Sequence, residues 1–405
     1  MIFKYNTEVI AFCYNWSVTK TKVAVIFGGN STEHEVSVIT GLQALENIDT
    51  DKFDSIPIYV SKQGEFFVGD GLRKIESYRD LSDFASKAQK VQPVLDENEK
   101  GFKYFSFGRS KLIEIDVFLV CFHGGLGENG GYQSLFEAMG VPYTGSGILG
   151  SSLGMDKVTA KSIFKNNDMP IVNHIWFYRN DWVKNKKNIL ERIEKLSYPL
   201  FVKPANTGSS IGVSKAKDLK ELENAIELAS IFDRKIIIEE GFEGREINIS
   251  VLGNSGSTLQ TSVCEEVFPS KNLLSYEDKY VQKGSRSQGM AGSNRQVPAK
   301  VDKEIQKKIE SVARHAYESL DCFGLARIDF IVNEKTNKMV LLEVNTVPGS
   351  LSFYLWEASG LPYRDLLTKL IELAIQRQED ESKNTKSFPS NILENFNPGV
   401  KASKN

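Results

Sequence analysis

Two short runs near the carboxyl end of the chain predict a β-hairpin that carries two carboxylates on one face. In residues 326–332 and 340–345, side chains alternate with the two-residue period of a strand. The polar residues 333–338 between them predict the turn. Opposed residues of an antiparallel pair share a face, so the apolar positions set the register. Four opposed pairs follow: Phe330 with Leu342, Ile328 with Val344, Asp329 with Glu343, and Arg327 with Asn345.

The juxtaposed carboxylates of Asp329 and Glu343 predict a metal site. With Cα atoms roughly 5 Å apart, two carboxylates repel unless one is protonated or a cation lies between them. Oxygen ligands from Asp, Glu and Asn345 suit Mg²⁺, which usually leaves its remaining positions to phosphate and water. The hairpin therefore indicates nucleotide chemistry. The alternative, on the hairpin alone, is an exposed ladder of charged side chains without a metal.

Length and charge restrict the class of partner. A chain of 405 residues fits two or three domains, and 41% apolar with 25% charged residues is ordinary for a globular protein. The net charge of −2 argues against a nucleic acid or a membrane surface, because either would require a basic face. We expect a small-molecule partner.

The cysteines and the amino-terminal residues predict a cytoplasmic protein. The four cysteines have no CxxC spacing, so neither a zinc motif nor a disulfide framework is expected, and the thiols should be reduced. The apolar run 9–14 is far too short to cross a bilayer and lacks the flanks of a signal peptide. Residues 1–20 are set apart as an N-terminal extension.

A strand-loop-helix unit begins at Lys22. Its apolar run ends in Gly28 and Gly29, which permit a tight turn, and the following polar residues predict the start of a helix, where backbone N–H groups attract anions. Glu35 in this loop is a candidate to hold a cationic group. The alternative is an ordinary acidic residue at a helix terminus.

A second unit of the same kind places His123 at the end of a buried strand, 117–122, before a glycine-rich loop and a helix from about residue 132 to 139. Strands followed by helices predict a parallel sheet, with ligand at the carboxyl ends of the strands. His123 is thus a candidate site residue, although a structural role is equally consistent with its position.

The middle of the chain contains lysines in two predicted settings, a helix and a strand. Lys157 and Lys161 lie one turn apart on a predicted helix, where a solvated basic face is the simplest interpretation. Lys203 lies in a strand of a predicted hairpin, residues 198–216, whose Gly-Ser loop has backbone amides suited to phosphate. A lysine buried there needs an anion.

Glu239 and Glu240 end a strand, and a glycine-containing link leads to the strand that carries Glu246. This pattern is typical of an inter-domain hinge, with acceptors for an adenine amine and a ribose. Ordinary surface charge is the equal alternative for each glutamate.

Taken together, these segments resemble the ATP-grasp ligases and, among them, the family of D-alanine–D-alanine ligases. The resemblance covers residues 22–378 and is carried by motifs in the family's order: GGNSTEHEVS at 28–37, HGGLGENG at 123–130, MDK at 155–157, FVKPANTGSSIGVSK at 201–215, EEGFEGRE at 239–246, YEDKY at 276–280, RID at 327–329 and EVNTVPG at 343–349.

The resemblance implies an α/β chain in which an ATP-grasp fold follows a Rossmann-like, preATP-grasp parallel-sheet domain. The implied segments are an extension (1–20), the first domain (21–153), a central ATP-grasp subdomain (154–241), a C-terminal subdomain (242–378) and a tail (379–405). Within the C-terminal subdomain, residues 269–297 are long, polar and without the period of a buried element, so a lid over the reaction is expected there.

The implied function is formation of a D-alanyl dipeptide for peptidoglycan precursors, with ATP, through a D-alanyl phosphate. The implied cofactor-binding residues are Lys157, Lys203, Ser209, Ser210, Glu239, Glu240, Glu246 and Lys279. The implied substrate residues are Glu35, His123, Arg327, Gly349, Ser350 and Ser352, and the implied catalytic residues are Glu35, Ser209, Tyr280, Arg327 and Gly349. Asp329, Glu343 and Asn345 would hold two Mg²⁺ ions, with Mn²⁺ as the alternative metal. The resemblance leaves the oligomeric state open, a homodimer included.

The chain departs from this family after Gly349. Only residues 350–354 separate it from the LWEASG run at 355–360, where the family has a longer segment with a Ser-Leu pair for the second substrate's carboxylate. Ser350 or Ser352 is a candidate replacement for that pair. The alternatives are a different second substrate, another ATP-grasp peptide ligase and, more remotely, a nucleotide sensor without catalysis.

Overall fold

A computed structural model describes residues 20–79, 88–96, 98–268 and 295–395. Within these ranges the chain forms three β-sheets with helices packed on them, the mixed α/β architecture that the sequence predicts. Several predictions concern residues outside the described ranges: the N-terminal extension up to residue 19, most of the lid segment with Lys279 and Tyr280, and the tail beyond residue 395. The domain boundaries given above stay predictions.

The first sheet combines a parallel centre with an antiparallel extension. Its strands are β1 (Thr21–Gly28), β2 (Phe53–Val60), β3 (Phe66–Val68), β4 (Gln89–Pro93), β5 (Gly101–Ser106), β6 (Arg109–Glu114) and β7 (Val117–Val120). The order is β6-β5-β4-β3-β2-β1-β7, and β1 is parallel to both β2 and β7. Residues 23–27 of β1 are completely buried, as expected for a strand covered on both faces. The carboxyl ends of β1 and β7 therefore lie side by side.

The helices pack on these sheets. In chain order they are α1 (His34–Asn47), α2 (Glu76–Arg79), α3 (Gly131–Ala138), α4 (Ile148–Met155), α5 (Lys157–Asn166), α6 (Arg179–Ile193), α7 (Leu219–Phe232), α8 (Lys303–Ser319), α9 (Phe353–Ala358) and α10 (Tyr363–Glu381). The last helix returns to the first sheet, where Leu366 and Leu370 share a core with Val25 and Leu119. Leu252 and Leu325 of the third sheet belong to the same core, so α10 packs against both the first and the third sheet.

The second sheet is entirely antiparallel. Its strands are β8 (His174–Tyr178), β9 (Leu200–Pro204), β10 (Ser214–Ala216) and β11 (Lys235–Glu240), in the order β10-β9-β11-β8. The pairing of β9 with β10 confirms the predicted hairpin. Asp218 is the N-cap of helix α7, because its carboxylate accepts a hydrogen bond of 2.9 Å from the Glu221 N–H.

The third sheet carries the predicted carboxylate hairpin. Its strands are β12 (Arg245–Asn254), β13 (Gln260–Thr261), β14 (Glu265–Val267), β15 (Arg295–Gln296), β16 (Phe323–Asn333) and β17 (Lys338–Asn345). The order is β15-β14-β12-β16-β17, with β13 beside β12. Helix α8 covers one face, where Ile309 and Tyr317 pack with Ile249 and Ile328. Residues 241–244 link the second sheet to the third, at the predicted hinge.

Three of the four cysteines lie in the part of the chain that the structure describes. Cys121, Cys264 and Cys322 are free and buried, and burial raises the pKa of each thiol, so each stays a neutral thiol. Across the described ranges, every helix is too short or too polar to cross a membrane.

Candidate active site

Elements of all three sheets meet at one cavity. The residues that line it are Glu33, His123, Glu128, Gly208, Ser209, Arg327, Glu343, Asn345, Val347, Pro348 and Gly349. Six of these were predicted as site residues: His123, Ser209, Arg327, Glu343, Asn345 and Gly349. The cavity thus joins the strand ends of the first sheet, the hairpin loop of the second and the carboxylate hairpin of the third.

The carboxylate hairpin has the predicted register at its functional end. Asp329 is opposite Glu343, Arg327 is opposite Asn345, and Ile328 is opposite Val344. The fourth predicted pair is wrong, because the register shifts after Asp329 and Phe330 lies opposite Leu341 instead of Leu342.

Leu342 is the extra residue of a β-bulge, and the backbone at this bulge forms hydrogen bonds with groups outside the sheet. The Leu341 N–H donates to the Pro170 carbonyl at 2.7 Å, and the Leu342 carbonyl accepts from the Lys161 ammonium at 3.2 Å. These long-range partners make the bulge favourable. An apolar pattern contains no sign of them, because it records only which face each side chain occupies.

Arg327 and Asn345 both bind Asp329. The Arg327 guanidinium donates to both Asp329 oxygens at 2.7 Å, and the Asn345 amide donates to Oδ2 at 2.9 Å. Asp329 is only 4% exposed, and burial raises its pKa while Arg327 lowers it. Across the strand, Glu343 contacts Lys157 with 3.2 Å between Oε2 and Nζ. Each carboxylate of the predicted metal pair therefore has a cationic neighbour.

The predicted role of Glu35 does not agree with its position. Its carboxylate faces away from the cavity, is 61% exposed and forms an ion pair of 2.6 Å with Lys62. The glutamate in the cavity is Glu33, which precedes α1 and is 6% exposed. The Ser209 hydroxyl donates a hydrogen bond to Glu33 Oε1. Glu33 is the residue before α1 and Glu35 lies in its first turn, so their side chains point to different sides of the helix start. Only Glu33 lines the cavity.

Close backbone approach fixes the Glu33 carboxylate. A Cβ atom on Gly208 would lie 2.6 Å from Glu33 Oε2, and one on Gly124 would lie 2.7 Å from the same oxygen. A Cβ atom on either glycine would displace the Glu33 carboxylate from its present position, and the φ of 68° at Gly124 additionally favours glycine there. Glu128 lies close by and accepts from the Gly124 N–H at 2.8 Å. Burial, and then the charge of Glu33, raise the pKa of Glu128 to about 8, which favours a protonated carboxyl at neutral pH.

Glu239 lies between two lysines beneath the hairpin loop. Its carboxylate is 3.0 Å from the Lys161 ammonium and 2.6 Å from that of Lys203. Burial raises the pKa of Glu239, but the two lysines outweigh it and lower the pKa to about 2. Lys161 is only 1% exposed, so its interpretation as part of a solvated face is wrong. Lys157, four residues earlier, donates to the Thr207 carbonyl at 2.8 Å and faces the same interior.

The other predicted nucleotide residues surround this cluster. Glu240 accepts from the Asn173 amide and from the Ser197 N–H, both at 2.8 Å. Burial lowers the pKa of Lys203, but Glu239 and, less strongly, Glu343 and Glu246 outweigh it, so the pKa is raised. Ser210 continues the β9–β10 loop with a φ of 59°. The predicted nucleotide residues in the described ranges thus lie along the junction of the second and third sheets.

His123 is buried beside Thr40 and the Val347 backbone. The Thr40 hydroxyl lies 2.8 Å from Nε2. Burial lowers the pKa of His123 to about 4, and the opposing effect of the Val347 backbone is smaller. The ring is therefore neutral at physiological pH.

The segment after Gly349 has an unusual backbone. Ser350, Leu351 and Ser352 have φ values of 52°, 51° and 48°. A left-handed conformation costs roughly 1–2 kcal/mol for each non-glycine residue, so surrounding contacts must hold it. Leu351 is buried in the core of the first sheet. Within the described ranges the buried Ser352 hydroxyl has no hydrogen-bond partner, and neither Ser350 nor Ser352 lines the cavity.

Four contributors to this region were not predicted as site residues. Glu33 and Glu128 both lie inside the quoted motifs at 28–37 and 123–130. The first motif contains two glutamates, and the prediction of Glu35 instead of Glu33 is wrong about which one reaches the cavity. Lys161 could have been found from its spacing, since it lies one helical turn after Lys157. Thr40 follows the first motif, and nothing in its sequence context indicates a contact with residue 350.

The fold and this constellation of lysines, carboxylates and a Gly-Ser loop define an ATP-grasp ligase. Family models refine the class: the D-ala D-ala ligase N-terminus model matches residues 22–146, and the D-ala D-ala ligase C-terminus model matches residues 163–372. The chain belongs to the D-alanine–D-alanine ligase family.

Individual relatives agree. The D-alanine–D-alanine ligase of Acetivibrio thermocellus is 41% identical over 382 residues, which cover 90% of this chain and 98% of the relative. Among solved structures, the D-Ala:D-Ser ligase VanG from Enterococcus faecalis has a TM-score of 0.76 and 33% identity, and covers 88% of this chain and 100% of its own. The D-alanine–D-alanine ligase from Coxiella burnetii has a TM-score of 0.75 at 27% identity, covering 90% and 96%.

Proposed function

We propose that the protein uses ATP to join two D-alanine molecules into a dipeptide, a precursor for peptidoglycan. The observation that carries this proposal is the convergence of Arg327, Glu343 and Asn345 with Glu33 and Ser209 on one cavity. Cationic and carboxylate groups suited to phosphoryl transfer thereby adjoin a carboxylate suited to an amino acid's ammonium. Small molecules are the proposed partners, and the cytoplasm is the proposed location.

The chemistry requires activation of a carboxylate, which is a poor electrophile. Transfer of the γ-phosphoryl group of ATP to the carboxylate of the first D-alanine forms an acyl phosphate and releases ADP. The amine of the second D-alanine then attacks the acyl carbon, forms the amide bond, loses a proton and expels inorganic phosphate. Negative charge accumulates in the first step, and Arg327, Lys157 and Lys203 are placed to neutralise it.

The oxygens of Asp329, Glu343 and Asn345 fit Mg²⁺, because a hard cation prefers carboxylate and amide oxygen ligands. Bound there, Mg²⁺ would supply charge neutralisation at the phosphates. The chain's own groups complete the charge balance. Arg327 binds both Asp329 oxygens, and Lys157 contacts Glu343, so each carboxylate has a cationic side chain of this protein beside it.

Within the nucleotide site, we assign Lys157, Lys203 and the amides of the Ser209–Ser210 loop to phosphates, and Glu246 to the ribose. The resemblance implies that Glu239 contacts the adenine. We assign Glu239 instead to holding Lys203 in place, because its carboxylate already contacts two ammonium groups, and we propose that Glu240 at the hinge receives the adenine amine.

The ammonium of the first D-alanine is assigned to Glu33, in place of Glu35. We expect Glu33→Gln to lower kcat/KM for D-alanine at least about 30-fold, because a charge-assisted hydrogen bond contributes roughly 1.5–3 kcal/mol and an unpaired ammonium adds a further cost. Glu35→Gln is the matched control and should stay within about twofold of the unchanged enzyme, since surface ion pairs contribute little. The measurement is ADP release at varied D-alanine. A large loss in the Glu35 variant with none in the Glu33 variant would contradict the assignment.

The second substrate has two candidates. D-Alanine follows from the family, while D-serine is the acceptor in the name of a solved structure at 33% identity. The short segment at residues 350–354 gives a physical reason to test both, because loss of one contact to the acceptor carboxylate weakens binding about tenfold.

The experiment fixes ATP, Mg²⁺ and D-alanine and varies the acceptor among D-alanine, D-serine, D-lactate and larger D-amino acids, with product analysis by mass. We expect D-alanyl-D-alanine as the main product. Preferential formation of D-alanyl-D-serine would support the second candidate. ATP hydrolysis without any condensed product would contradict both.

A further inference from the structure

Thr40 connects two parts of the molecule that are remote in sequence. Thr40 lies on α1 and is completely buried. The proposed reaction assigns it no contact with substrate, nucleotide or metal. Its hydroxyl lies 2.8 Å from Nε2 of His123 and 3.2 Å from the backbone nitrogen of Ser350. The Thr40 hydroxyl therefore links helix α1 to two other segments, one at His123 and one at Ser350.

The Thr40 hydroxyl can serve both partners at once. The Ser350 N–H donates to the Thr40 oxygen, and the other hydrogen bond of this hydroxyl is with Nε2 of His123. Removal of the hydroxyl would leave both a ring nitrogen and a backbone N–H buried without their partner.

His123 and Thr40 both lie against residues 347–350. The Val347 backbone is close enough to His123 to affect its pKa, and the Ser350 N–H donates to Thr40. Val347 and Ser350 flank Pro348 and Gly349, and Gly349 lines the cavity. His123 and Thr40 thus contact the segment before and after Gly349 from the side of the first sheet. The same segment enters the left-handed turn at residues 350–352, a conformation that reverts unless it is held.

We propose that Thr40 is a positioning residue that, together with His123, clamps residues 347–350 and fixes the Gly349 amide against the reacting carboxylate. This inference rests on the proposed ligase function. The contact with the Ser350 N–H also holds the first residue of the left-handed turn at 350–352.

The test compares three variants in the full-length protein. Thr40→Val keeps the shape and removes the hydroxyl, and Thr40→Ser keeps the hydroxyl. Thr368→Val is the matched control, because Thr368 is also a buried helical threonine, but within the described ranges its hydroxyl donates to the Arg364 carbonyl of its own helix, at 3.0 Å, and to no other segment. Dipeptide formation is measured at saturating substrates, together with the KM for ATP and the thermal midpoint.

For Thr40→Val we expect kcat to fall at least about tenfold, with the KM for ATP within about twofold, because the nucleotide contacts lie elsewhere. Thr40→Ser should recover most of kcat, and Thr368→Val should lose thermal stability alone. If the valine variant does not fold, Thr40→Cys replaces it, and a kcat well below that of the serine variant is expected because a thiol is a weak donor.

Equal kcat in the serine and valine variants, or in the serine and cysteine variants, would overturn the clamp while leaving the ligase function intact. Failure of the unchanged protein to form any dipeptide would overturn the ligase function, and the clamp with it. The two failures are therefore distinguishable.

Discussion

Glu343→Gln is expected to abolish dipeptide formation while the fold persists. The substitution keeps the shape of the side chain but removes one of the two carboxylates that we propose hold Mg²⁺, and it leaves Lys157 without its anionic neighbour at 3.2 Å. A bound metal typically contributes several kcal/mol of transition-state stabilisation, so we expect a loss of about 10³-fold or more in kcat. ADP release at saturating Mg²⁺ measures it.

A glutamate at the far end of the same hairpin provides the control. Glu334 pairs with Arg245 at 2.6 Å and is remote from the cavity, so Glu334→Gln should remain within about twofold of the unchanged enzyme. Near-normal turnover of the Glu343 variant, with a thermal midpoint like that of the control, would show that the hairpin carboxylates do not form the metal site.

Glu239→Gln is expected to destabilise the protein by about 3–5 kcal/mol. The carboxylate is 2% exposed and neutralises Lys161 and Lys203, and removing one member of a buried charge cluster leaves the others uncompensated. Chemical denaturation gives the change in unfolding free energy. The neighbouring Glu240→Gln should cost less than about 1 kcal/mol, because its hydrogen-bond partners are neutral and its side chain is only half-buried.

A double variant separates charge from packing. Adding Lys161→Met to Glu239→Gln removes one of the uncompensated ammonium groups, so we expect it to recover part of the lost stability. Equal destabilisation by Glu239→Gln and Glu240→Gln would contradict the account of this cluster. So would a double variant that is less stable by the sum of the two single effects.

The sequence predicted the register of the carboxylate hairpin at its functional end because alternation records the face of each residue. Asp329, Glu343 and Asn345 came together for that reason. The bulge at Leu342 could not be predicted, since it depends on Pro170 and Lys161, which approach from other parts of the chain. Local periodicity determines which face a side chain occupies, whereas distant partners determine where a ladder shifts.

The same limit explains the exchange of Glu35 for Glu33. Both acidic residues lie in one motif, and the choice between them depends on the direction in which α1 leaves the loop, which Gly124 and Gly208 help to fix by packing around Glu33. Lys161 was assigned to a solvated face because the helix pattern alone contains no information about Glu239, which approaches from another sheet. Contacts between sheets are the part of this site that a local pattern does not encode.

The central claim, ligation through an acyl phosphate, is tested most directly with D-alanine whose carboxyl oxygens are both ¹⁸O. The protein is incubated with ATP, Mg²⁺ and this D-alanine, and the dipeptide and the inorganic phosphate are analysed by mass. The account predicts D-alanyl-D-alanine together with phosphate that carries a single ¹⁸O, because one carboxyl oxygen leaves with the phosphate. Dipeptide with unlabelled phosphate would contradict the acyl phosphate, and labelled D-alanine recovered without any dipeptide would contradict the ligase itself.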